Sequence, residues 1–554
     1  MRPSRWRSVL PSWPAACAAA VTLAVTLWKI QVPSLWRDES ATQSATQRSL
    51  PDLIAMLGHV DAVHGTYYVL MWLEVRLAGH SELALRLPSA LAMAAAAALI
   101  TMTGGRLVSR RAGLAAGLTF AALPAVSWFA QDARPFAMET TAGAAASYFL
   151  VRLAGDDGRH RWACWYAASL VVLGLANVFG LLLIPAHAVT LAAWRATARR
   201  RDVARRWLGA VIIACVALLP LIVMAWTQRV QVSWLQPPGA AAALATGRLV
   251  GSAALLLATA VLTGMGLAYA ALHHRLGTDW PARLPALCLP WLAGPPVILF
   301  VMSQLQPAYT FRYIVFCMPA AALLIGTGLA AAGRLATAAG LVLIVLLSLP
   351  AQLGERGPAG HADNIRRLDQ IVAQYERPGD AVLYPQAGSA SFAAAYSYGL
   401  TRLHDVMLGE TSARSDTIAG TEAPAQVVRR RLRRVRRVWV TESSVPSPGR
   451  PPQLGGLPFR LVRTWHVSVS WLSLYEREYR AWPDVSPATR RPPGPRRWPG
   501  PRRRLIPPAG CAAAPGPPRA YKPGAAAHPG QLPLPWRPRP PGLPILLLST
   551  SAPA

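Results

Sequence analysis

The stretch that decides the fold is WPAACAAAVTLAVTLWKIQVPSLWRDES, residues 13–40. Its first part, residues 13–30, is an apolar run, and two adjacent carboxylates, Asp38 and Glu39, follow after a short loop. An α-helix crosses a bilayer with about 20 apolar residues, so the run predicts a membrane span. Ionisable residues beside a span are costly unless they form a functional site or a specific pair. The two acids therefore mark a candidate site at the end of the first span.

The composition of the whole chain agrees with a membrane protein. Of its 554 residues, 53% are hydrophobic and only 15% are charged, whereas soluble domains carry about 25% charged residues. The net charge of +31 would by itself also suit a nucleic-acid-binding protein. The basic residues cluster in short loops and in the C-terminal tail, however, and basic short loops are a topology signal of membrane proteins. We therefore predict a polytopic α-helical protein of the cell membrane, with the lipid bilayer and not nucleic acid as its partner.

About eleven transmembrane helices are predicted. The predicted spans are residues 13–30, 86–104, 112–129, 135–153, 162–178, 179–194, 208–226, 249–272, 285–303, 313–331 and 335–350. With this count the basic loops 106–111, 195–206 and 273–283 lie in the cytoplasm with the N-terminus, and the end of the last span lies outside. The N-terminal arginines would also suit a cleaved signal peptide. We favour an uncleaved span because the apolar run continues to about Ile30 without a clean cleavage site.

Three parts of the chain are predicted. Residues 1–351 form a transmembrane domain, whose outer loop 31–85 carries the acidic pair and a juxtamembrane helix over residues 67–78. Residues 352–480 regain charge and contain strand-length apolar runs at Ala381–Tyr384, Val438–Thr441 and Phe459–Tyr475, which predict a small extracytoplasmic α/β domain. Residues 481–554 are rich in Pro and Arg without periodicity, and this composition predicts a disordered tail.

Four polar pairs from distant parts of the chain fall at the outer ends of predicted spans. They are Asp38/Glu39, Asp61/His64, Asp132/Arg134 and Arg312/Tyr313. Each pair alone has a plainer explanation as an interfacial anchor or a helix cap. Because the predicted topology places all four on one side of the membrane, we favour a single shared cavity.

At these positions the chain resembles the GT-C membrane glycosyltransferases. The resemblance is best to glycosyltransferase family 39, the protein O-mannosyltransferase group, and to the related aminoarabinose and bacterial lipid-linked-sugar transferases. It rests on an ordered set of segments: Arg37-Asp38-Glu39, Asp61 to Tyr68, Leu85-Arg86-Leu87-Pro88-Ser89, Asp132-Ala133-Arg134-Pro135 and Pro307 to Tyr313. These segments and the order of the spans cover residues 30–330. The resemblance implies transfer of a sugar, expected to be mannose, from a polyprenyl-phosphate donor to a hydroxyl acceptor at the outer face.

The resemblance also implies roles for the acids. Asp38 matches the catalytic base of the family, and its alternative is the N-cap of the juxtamembrane helix. Glu39 is expected to support catalysis, either by orienting Asp38 or through an ion pair with Arg86 or Arg134. Asp132 matches a second family acid that contacts acceptor or donor sugar, and its alternative is a local ion pair with Arg134.

The cations are candidates for the donor phosphate. Arg312 and Tyr313 match the late-span site that holds the lipid phosphate, and a guanidinium fork suits phosphate geometry. The alternative for Arg312 is an arginine that snorkels to the interface. His64 and Arg134 are further candidates for donor phosphate or sugar, although a lone loop histidine is often simply solvated.

No cofactor and no tightly bound metal are predicted. Some members of the family use a metal ion near the phosphate, but no His/Asp cluster in this sequence has ligand spacing. The six cysteines form no CxxC pair, and five of them lie in or beside apolar runs as small apolar residues. The sequence therefore indicates neither a metal site nor a disulfide framework.

A transporter or flippase for a lipid-linked sugar is the alternative function. Transporters place charges near the bilayer midplane and often contain internal repeats. We find no repeat, and the strongest polar residues lie at span ends, so the enzyme is favoured over a transporter and over a non-catalytic scaffold. The acceptor stays open among protein, lipid and glycan.

Overall fold

The computed structural model describes residues 13–155, 160–194, 200–232, 235–239, 247, 251–275, 279–386, 389–443 and 449–478. All of them belong to one compact unit, Met1–Ala481. The basic start of the chain and the predicted disordered tail, residues 481–554, lie outside the described residues. The predictions for these segments, and the predicted boundary between residues 351 and 352, stay predictions.

Helices form most of the described chain. They are α1 (Trp13–Leu27), α2 (Arg37–Thr46), α3 (Leu50–His59), α4 (Gly65–Ala78), α5 (Glu82–Leu107), α6 (Arg110–Ala122), α7 (Pro124–Ala130), α8 (Phe136–Gly155), α9 (His160–Ala176), α10 (Leu183–Ala193), α11 (Arg200–Thr227), α12 (Ala253–Arg275), α13 (Asp279–Met302), α14 (Met318–Ala331) and α15 (Arg334–Glu355). Short 3-10 helices lie at Ala62–His64, Val178–Leu182, Arg229–Val232 and Phe311–Cys317.

The described chain contains six helices that are long and apolar enough to cross a membrane. The pair α6 and α7 counts as a seventh span, bent by 65°, because Pro124 has no N–H to continue the helix. Shorter apolar segments lie at Trp13–Leu27 and Val178–Ala193. The prediction of a multi-pass α-helical membrane protein is confirmed, whereas the count of eleven spans and their orientation stay predictions.

The second predicted span begins earlier than its sequence indicates. The predicted start at Arg86 is wrong, because α5 begins at Glu82 and its N-cap is Ser81, whose hydroxyl accepts the N–H of Ala84 at 3.2 Å. Pro88 lies inside the helix and does not mark its first turn. A serine cap is therefore a better start signal here than the proline.

The loop between α1 and α5 folds into three short helices. The juxtamembrane helix expected over residues 67–78 is present as α4. The first turn of α2 carries both acids, Asp38 and Glu39, where negative charge is favoured by the helix dipole. Helix α3 is capped by Ser49, whose hydroxyl accepts the N–H of Asp52.

The predicted small α/β region is confirmed beyond α15. It contains α16 (Ile365–Tyr375), α17 (Phe392–Ala395) and α18 (Ala425–Leu432), with strands β1 (Ala381–Leu383), β2 (His404–Asp405), β3 (Arg437–Ser443), β4 (Phe459–Val467) and β5 (Ser470–Arg477). The strand order is β2-β1-β3-β5-β4. Strand β1 pairs in parallel with β2 and β3, and β5 pairs antiparallel with β3 and β4. The sheet is covered by the apolar face of α16, which buries Ile365, Leu368, Ile371 and Val372.

Polar contacts attach this sheet region to the start of α2. The carboxylate of Asp363 accepts hydrogen bonds from the Arg37 side chain at 3.1 and 3.3 Å and from the Arg37 N–H at 3.2 Å. The hydroxyls of Ser40 and Ser391 lie 2.8 Å apart. Because both contacts lie in the first turn of α2, the sheet region fixes the helix end that carries the acids.

Helices α12 and α14 approach closely through glycines. A Cβ added to Gly328 would lie 2.0 Å from the carbonyl oxygen of Leu262, and one added to Gly266 would lie 2.5 Å from that of Leu324. Small residues at such crossings let helix backbones pack closely in membranes.

We expect Gly328→Ala to lower the thermal stability of the detergent-solubilised protein by about 1–3 kcal/mol, the usual cost of overpacking. Gly264→Ala, on the same pair of helices, is the matched control because a Cβ there meets nothing within 4 Å. Equal melting temperatures for the two variants would contradict this packing.

Candidate active site

The two acids of α2 have different environments. The N-cap of α2 is Trp36, whose N–H donates to Glu39 Oε2 at 3.4 Å. The N-cap position of the juxtamembrane helix α4 is His64, so Asp38 caps neither helix and that alternative is wrong. Glu39 is fully buried, whereas the side chain of Asp38 is 21% exposed.

Glu39 forms a fully satisfied buried ion pair with Arg86. Its two oxygens accept Arg86 Nε at 2.8 Å and Nη2 at 2.6 Å, and Oε1 also accepts the N–H of Ala133 at 2.9 Å. The other Arg86 donors bond the carbonyls of Ile30, Pro33 and Ser34. Of the two arginines predicted as possible partners of Glu39, Arg86 forms the ion pair. Glu39 is fully buried, and its contacts hold the first turn of α2 against α5.

Asp38 contacts Arg312 directly. Arg312 Nη1 donates to Asp38 Oδ2, and both side chains are 21% exposed. The Arg312 guanidinium also lies 5.6 Å from the centre of the Trp36 ring, a distance that allows a cation–π contact. Arg312 is thus held beside Asp38 and is not a free arginine at the interface.

Asp132 is buried and bonds the same tryptophan. Its Oδ1 accepts Trp36 Nε1 at 3.0 Å, and its Oδ2 has no hydrogen-bond partner in the part of the chain that the structure describes. Burial, reinforced by the nearby carboxylate of Glu39, raises the pKa of Asp132 well above its usual value. Among the described residues Asp132 forms no salt bridge or hydrogen bond with Arg134, whose Nη1 donates to Tyr68, so the alternative of a local ion pair is wrong.

Arg134 belongs to a chain of hydrogen bonds that reaches the second polar pair. Its Nη1 donates to the hydroxyl of Tyr68 at 3.1 Å, and that hydroxyl donates to Asp61 Oδ2 at 2.8 Å. Asp61 has a positive φ of 56° immediately before the 3-10 turn. Burial raises the pKa of Asp61, although the charge of Arg134 opposes the shift.

His64 and Tyr313 complete the predicted set. His64 is half-buried with its ring 6.0 Å from that of Tyr68. Burial and then the charges of Arg134 and Arg312 lower its pKa well below the usual value, so the imidazole is neutral at pH 7. The ring of Tyr313 stacks on Phe179 with centroids 5.2 Å apart.

The contacts bring the four predicted polar pairs together. Trp36 connects the Asp38/Glu39 pair to Asp132, and Tyr68 connects Asp61 to Arg134. Arg312 contacts Asp38 directly. The arrangement offers a partly exposed carboxylate beside several cations. It can therefore accept a proton and stabilise an anion within one site.

Sequence reasoning missed Trp36, Tyr68 and His361. His361 is fully buried, its Nδ1 lies 4.0 Å from Glu39 Oε2, and its ring centre lies 4.6 Å from that of Trp128. Burial and the charge of Arg86 lower its pKa well below the usual value. No motif marks this residue, because it lies in an irregular loop beyond the last long helix.

Within the described ranges there is no group of three or more His, Cys, Asp or Glu side chains that could hold a metal ion. The prediction of a metal-free protein without a cofactor stays a prediction.

Two comparisons with known proteins bear on this site. The model of the family described as dolichyl-phosphate-mannose-protein mannosyltransferase matches residues 66–226. The structure is similar to that of ArnT from Cupriavidus metallidurans in the apo state, with a TM-score of 0.53, 14% identity, and 83% of this chain and 97% of that chain covered. ArnT bound to undecaprenyl phosphate gives a TM-score of 0.54, 14% identity and the same coverage.

More distant matches include the oligosaccharyltransferase of Archaeoglobus fulgidus, in complex with Zn and sulfate, with a TM-score of 0.45, 11% identity, and 77% of this chain and 67% of that chain covered. No curated protein matches this chain. The protein has the fold of the GT-C membrane glycosyltransferases, as its sequence predicted. Within that class, the family-model match is to the mannosyltransferase family and begins at Thr66, after the acidic pair.

We expect Arg86→Met to destabilise the protein by about 3–5 kcal/mol, because it leaves the Glu39 charge buried without its partner. The double variant Arg86→Met/Glu39→Leu removes both charges and should regain part of that loss. Thermal unfolding of the purified proteins in detergent measures both. If the double variant is no more stable than Arg86→Met alone, the loss of stability does not come from the unpaired charge of Glu39.

The raised pKa of Asp132 predicts a pH dependence of stability. A carboxyl whose pKa is higher in the folded chain binds its proton more tightly there, so its contribution to stability falls as pH rises above the unfolded value of about 3.9. Between about pH 5 and pH 8, the melting temperature of the wild type should therefore fall relative to that of Asp132→Asn as the pH rises. Glu74→Gln, on α4, controls for the loss of one carboxylate. A shift in the opposite direction would contradict the raised pKa.

Proposed function

We propose that the protein transfers a sugar from a polyprenyl-phosphate donor to a hydroxyl group of an acceptor, at the outer face of the cell membrane. The direct contact between Asp38 and Arg312 carries the proposal. It places a carboxylate that can take a proton beside a guanidinium that can bind phosphate. The bound undecaprenyl phosphate of ArnT, a protein of similar fold, supports a lipid-phosphate donor.

In the proposed reaction Asp38 accepts the proton of the acceptor hydroxyl. The acceptor oxygen attacks the anomeric carbon, the bond between that carbon and the phosphate oxygen breaks, and its electron pair stays on the phosphate. Arg312 stabilises the phosphate charge that develops. A guanidinium has five N–H donors, so Arg312 can bond phosphate while it remains beside Asp38.

Arg134 and His64 are the further donors proposed for the phosphate or the sugar. Arg134 Nε has no hydrogen-bond partner among the described residues, although the side chain is only 7% exposed. His64 Nδ1 is likewise buried and without a partner in the described chain. A neutral imidazole contributes a hydrogen bond rather than a charge. Tyr313, whose ring packs on Phe179, is proposed to shape the same site.

Mannose is the proposed sugar. The description of the matching family, which names dolichyl-phosphate-mannose, supports this choice over other sugars. Asp132 is proposed to bond a hydroxyl of donor or acceptor sugar through Oδ2, the oxygen that Trp36 does not use.

We expect Asp38→Asn to lower sugar transfer by about 10²–10⁴-fold, the usual loss when a general base is removed. The assay is transfer of radiolabel from polyprenyl-phosphate mannose to membrane acceptors, and donor binding should persist in this variant. Arg312→Gln should instead weaken donor binding as well as transfer. Glu74→Gln is the control carboxylate outside the site. Unchanged transfer by a well-expressed Asp38→Asn variant would contradict the assignment of Asp38 as the base.

A further inference from the structure

A cleft of about 500 Å³ lies between the loop helices and the sheet. One wall runs from the end of α2 to the start of α3, Ser44 to Asp52, and the other wall consists of residues of β1 and β2 and of the segments that follow these strands. Its volume lies in the range of small-ligand pockets, about 300–1,000 Å³. The cleft opens where the parallel strands β1 and β2 end, a common place for ligands in sheets with parallel strands. Its lining includes none of the four polar pairs. We call it the loop–sheet cleft.

Two buried side chains lining the loop–sheet cleft carry polar atoms without a protein partner. Tyr384 follows β1 directly and is 4% exposed, and its hydroxyl has no hydrogen-bond partner among the described residues. Burial raises the pKa of Tyr384, so the hydroxyl keeps its proton. Arg48 is 6% exposed and donates through Nη2 to the carbonyl of Thr417, but its Nε and Nη1 have no partner in the described chain. Buried donors without acceptors are costly, so these atoms point to a ligand with acceptor oxygens.

Hydrogen bonds between the two walls hold the cleft in shape. The hydroxyl of Ser44 donates to the carbonyl of Ile418 at 2.7 Å, and Gln47 Nε2 donates to the carbonyl of Ala394 at 3.1 Å. A preformed cleft loses little entropy when a ligand binds.

The charges of the lining favour a neutral ligand with many hydroxyl groups. The cation of Arg48 is matched by two carboxylates, Asp52 and Asp405, which also line the cleft. The lining therefore has no excess positive charge for an anion, while its carboxylates and hydroxyls can accept and donate to sugar hydroxyls. A peptide strand is a poorer fit, because edge strand β2 has only two residues to pair with it.

The cleft lies within reach of the reacting centre. Ser44 follows Asp38 by six residues on the same helix, which at about 1.5 Å per residue corresponds to about 9 Å along its axis. We propose that the loop–sheet cleft binds sugar residues of a carbohydrate acceptor, beyond the residue whose hydroxyl reacts at Asp38. This assignment rests on the proposed transferase function, which places the acceptor hydroxyl at Asp38.

The test is ligand binding without donor. Full-length protein in lipid nanodiscs, which avoid sugar-based detergents, is titrated with mannotriose, maltotriose and N-acetylchitotriose under saturation-transfer NMR. At least one neutral trisaccharide should bind. Tyr384→Phe should weaken that binding about 3- to 10-fold, as expected for one net hydrogen bond, and Ala413→Trp, at the exposed edge of the cleft, should abolish it. Tyr398→Phe is the matched control, since Tyr398 lies outside the lining.

The outcomes separate this proposal from the proposed function. No binding of any trisaccharide, or binding that Ala413→Trp leaves unchanged, overturns the cleft assignment even if transfer depends on Asp38. Displacement of the sugar by a Ser/Thr-rich peptide overturns it in favour of a protein acceptor. Trisaccharide binding that Ala413→Trp abolishes supports the cleft as a sugar-binding site. If Asp38→Asn also leaves transfer intact, that binding still stands, and only the placement of the acceptor hydroxyl at Asp38 is overturned.

Discussion

The buried ion pair between Glu39 and Arg86 is the constraint on which the site depends. Arg86 uses all five of its N–H donors, on Glu39 and on the carbonyls of Ile30, Pro33 and Ser34, which follow α1. Glu39 in turn accepts the N–H groups of Trp36 and Ala133. A buried pair repays its desolvation only when its other polar atoms are satisfied in this way. The pair joins α2 and α5 to the end of the α1 segment and to the loop between α7 and α8, which carries Asp132.

The sheet region fixes the other side of the same helix. Asp363 accepts hydrogen bonds from Arg37, the residue between the N-cap Trp36 and the acid Asp38, and Ser391 contacts Ser40, three residues later in the first turn. Asp38 therefore lies between Glu39, which is paired with Arg86 of α5, and Arg37, which is paired with Asp363 of the sheet region. These contacts fix the backbone of the turn from which the Asp38 side chain projects.

The sequence predicted that the four polar pairs lie close together, but it did not predict all of their hydrogen-bond partners. The positions of Asp38 and Arg312 at the ends of apolar runs were enough to expect them on one side of the membrane, and the structure brings them into contact. The choice of Arg86 over Arg134 as partner of Glu39 depends on helix rotation and depth, which a sequence pattern does not specify. His361 was beyond prediction for the same reason, since its burial results from packing between an irregular loop and Trp128.

The position of Arg312 beside Asp38 has a consequence for the proposed chemistry. In the proposed reaction the negative charge next to Arg312 is first on the Asp38 carboxylate, and afterwards that carboxylate carries a proton while the phosphate has gained charge. In this proposal Arg312 contacts both the base Asp38 and the leaving phosphate. Negative charge therefore moves from one partner of the Arg312 guanidinium to the other. The electrostatic environment then needs little reorganisation, which is the condition under which fixed charges stabilise a transition state best. Trp36 supports this arrangement, because its ring faces Arg312 while its N–H is held by Asp132.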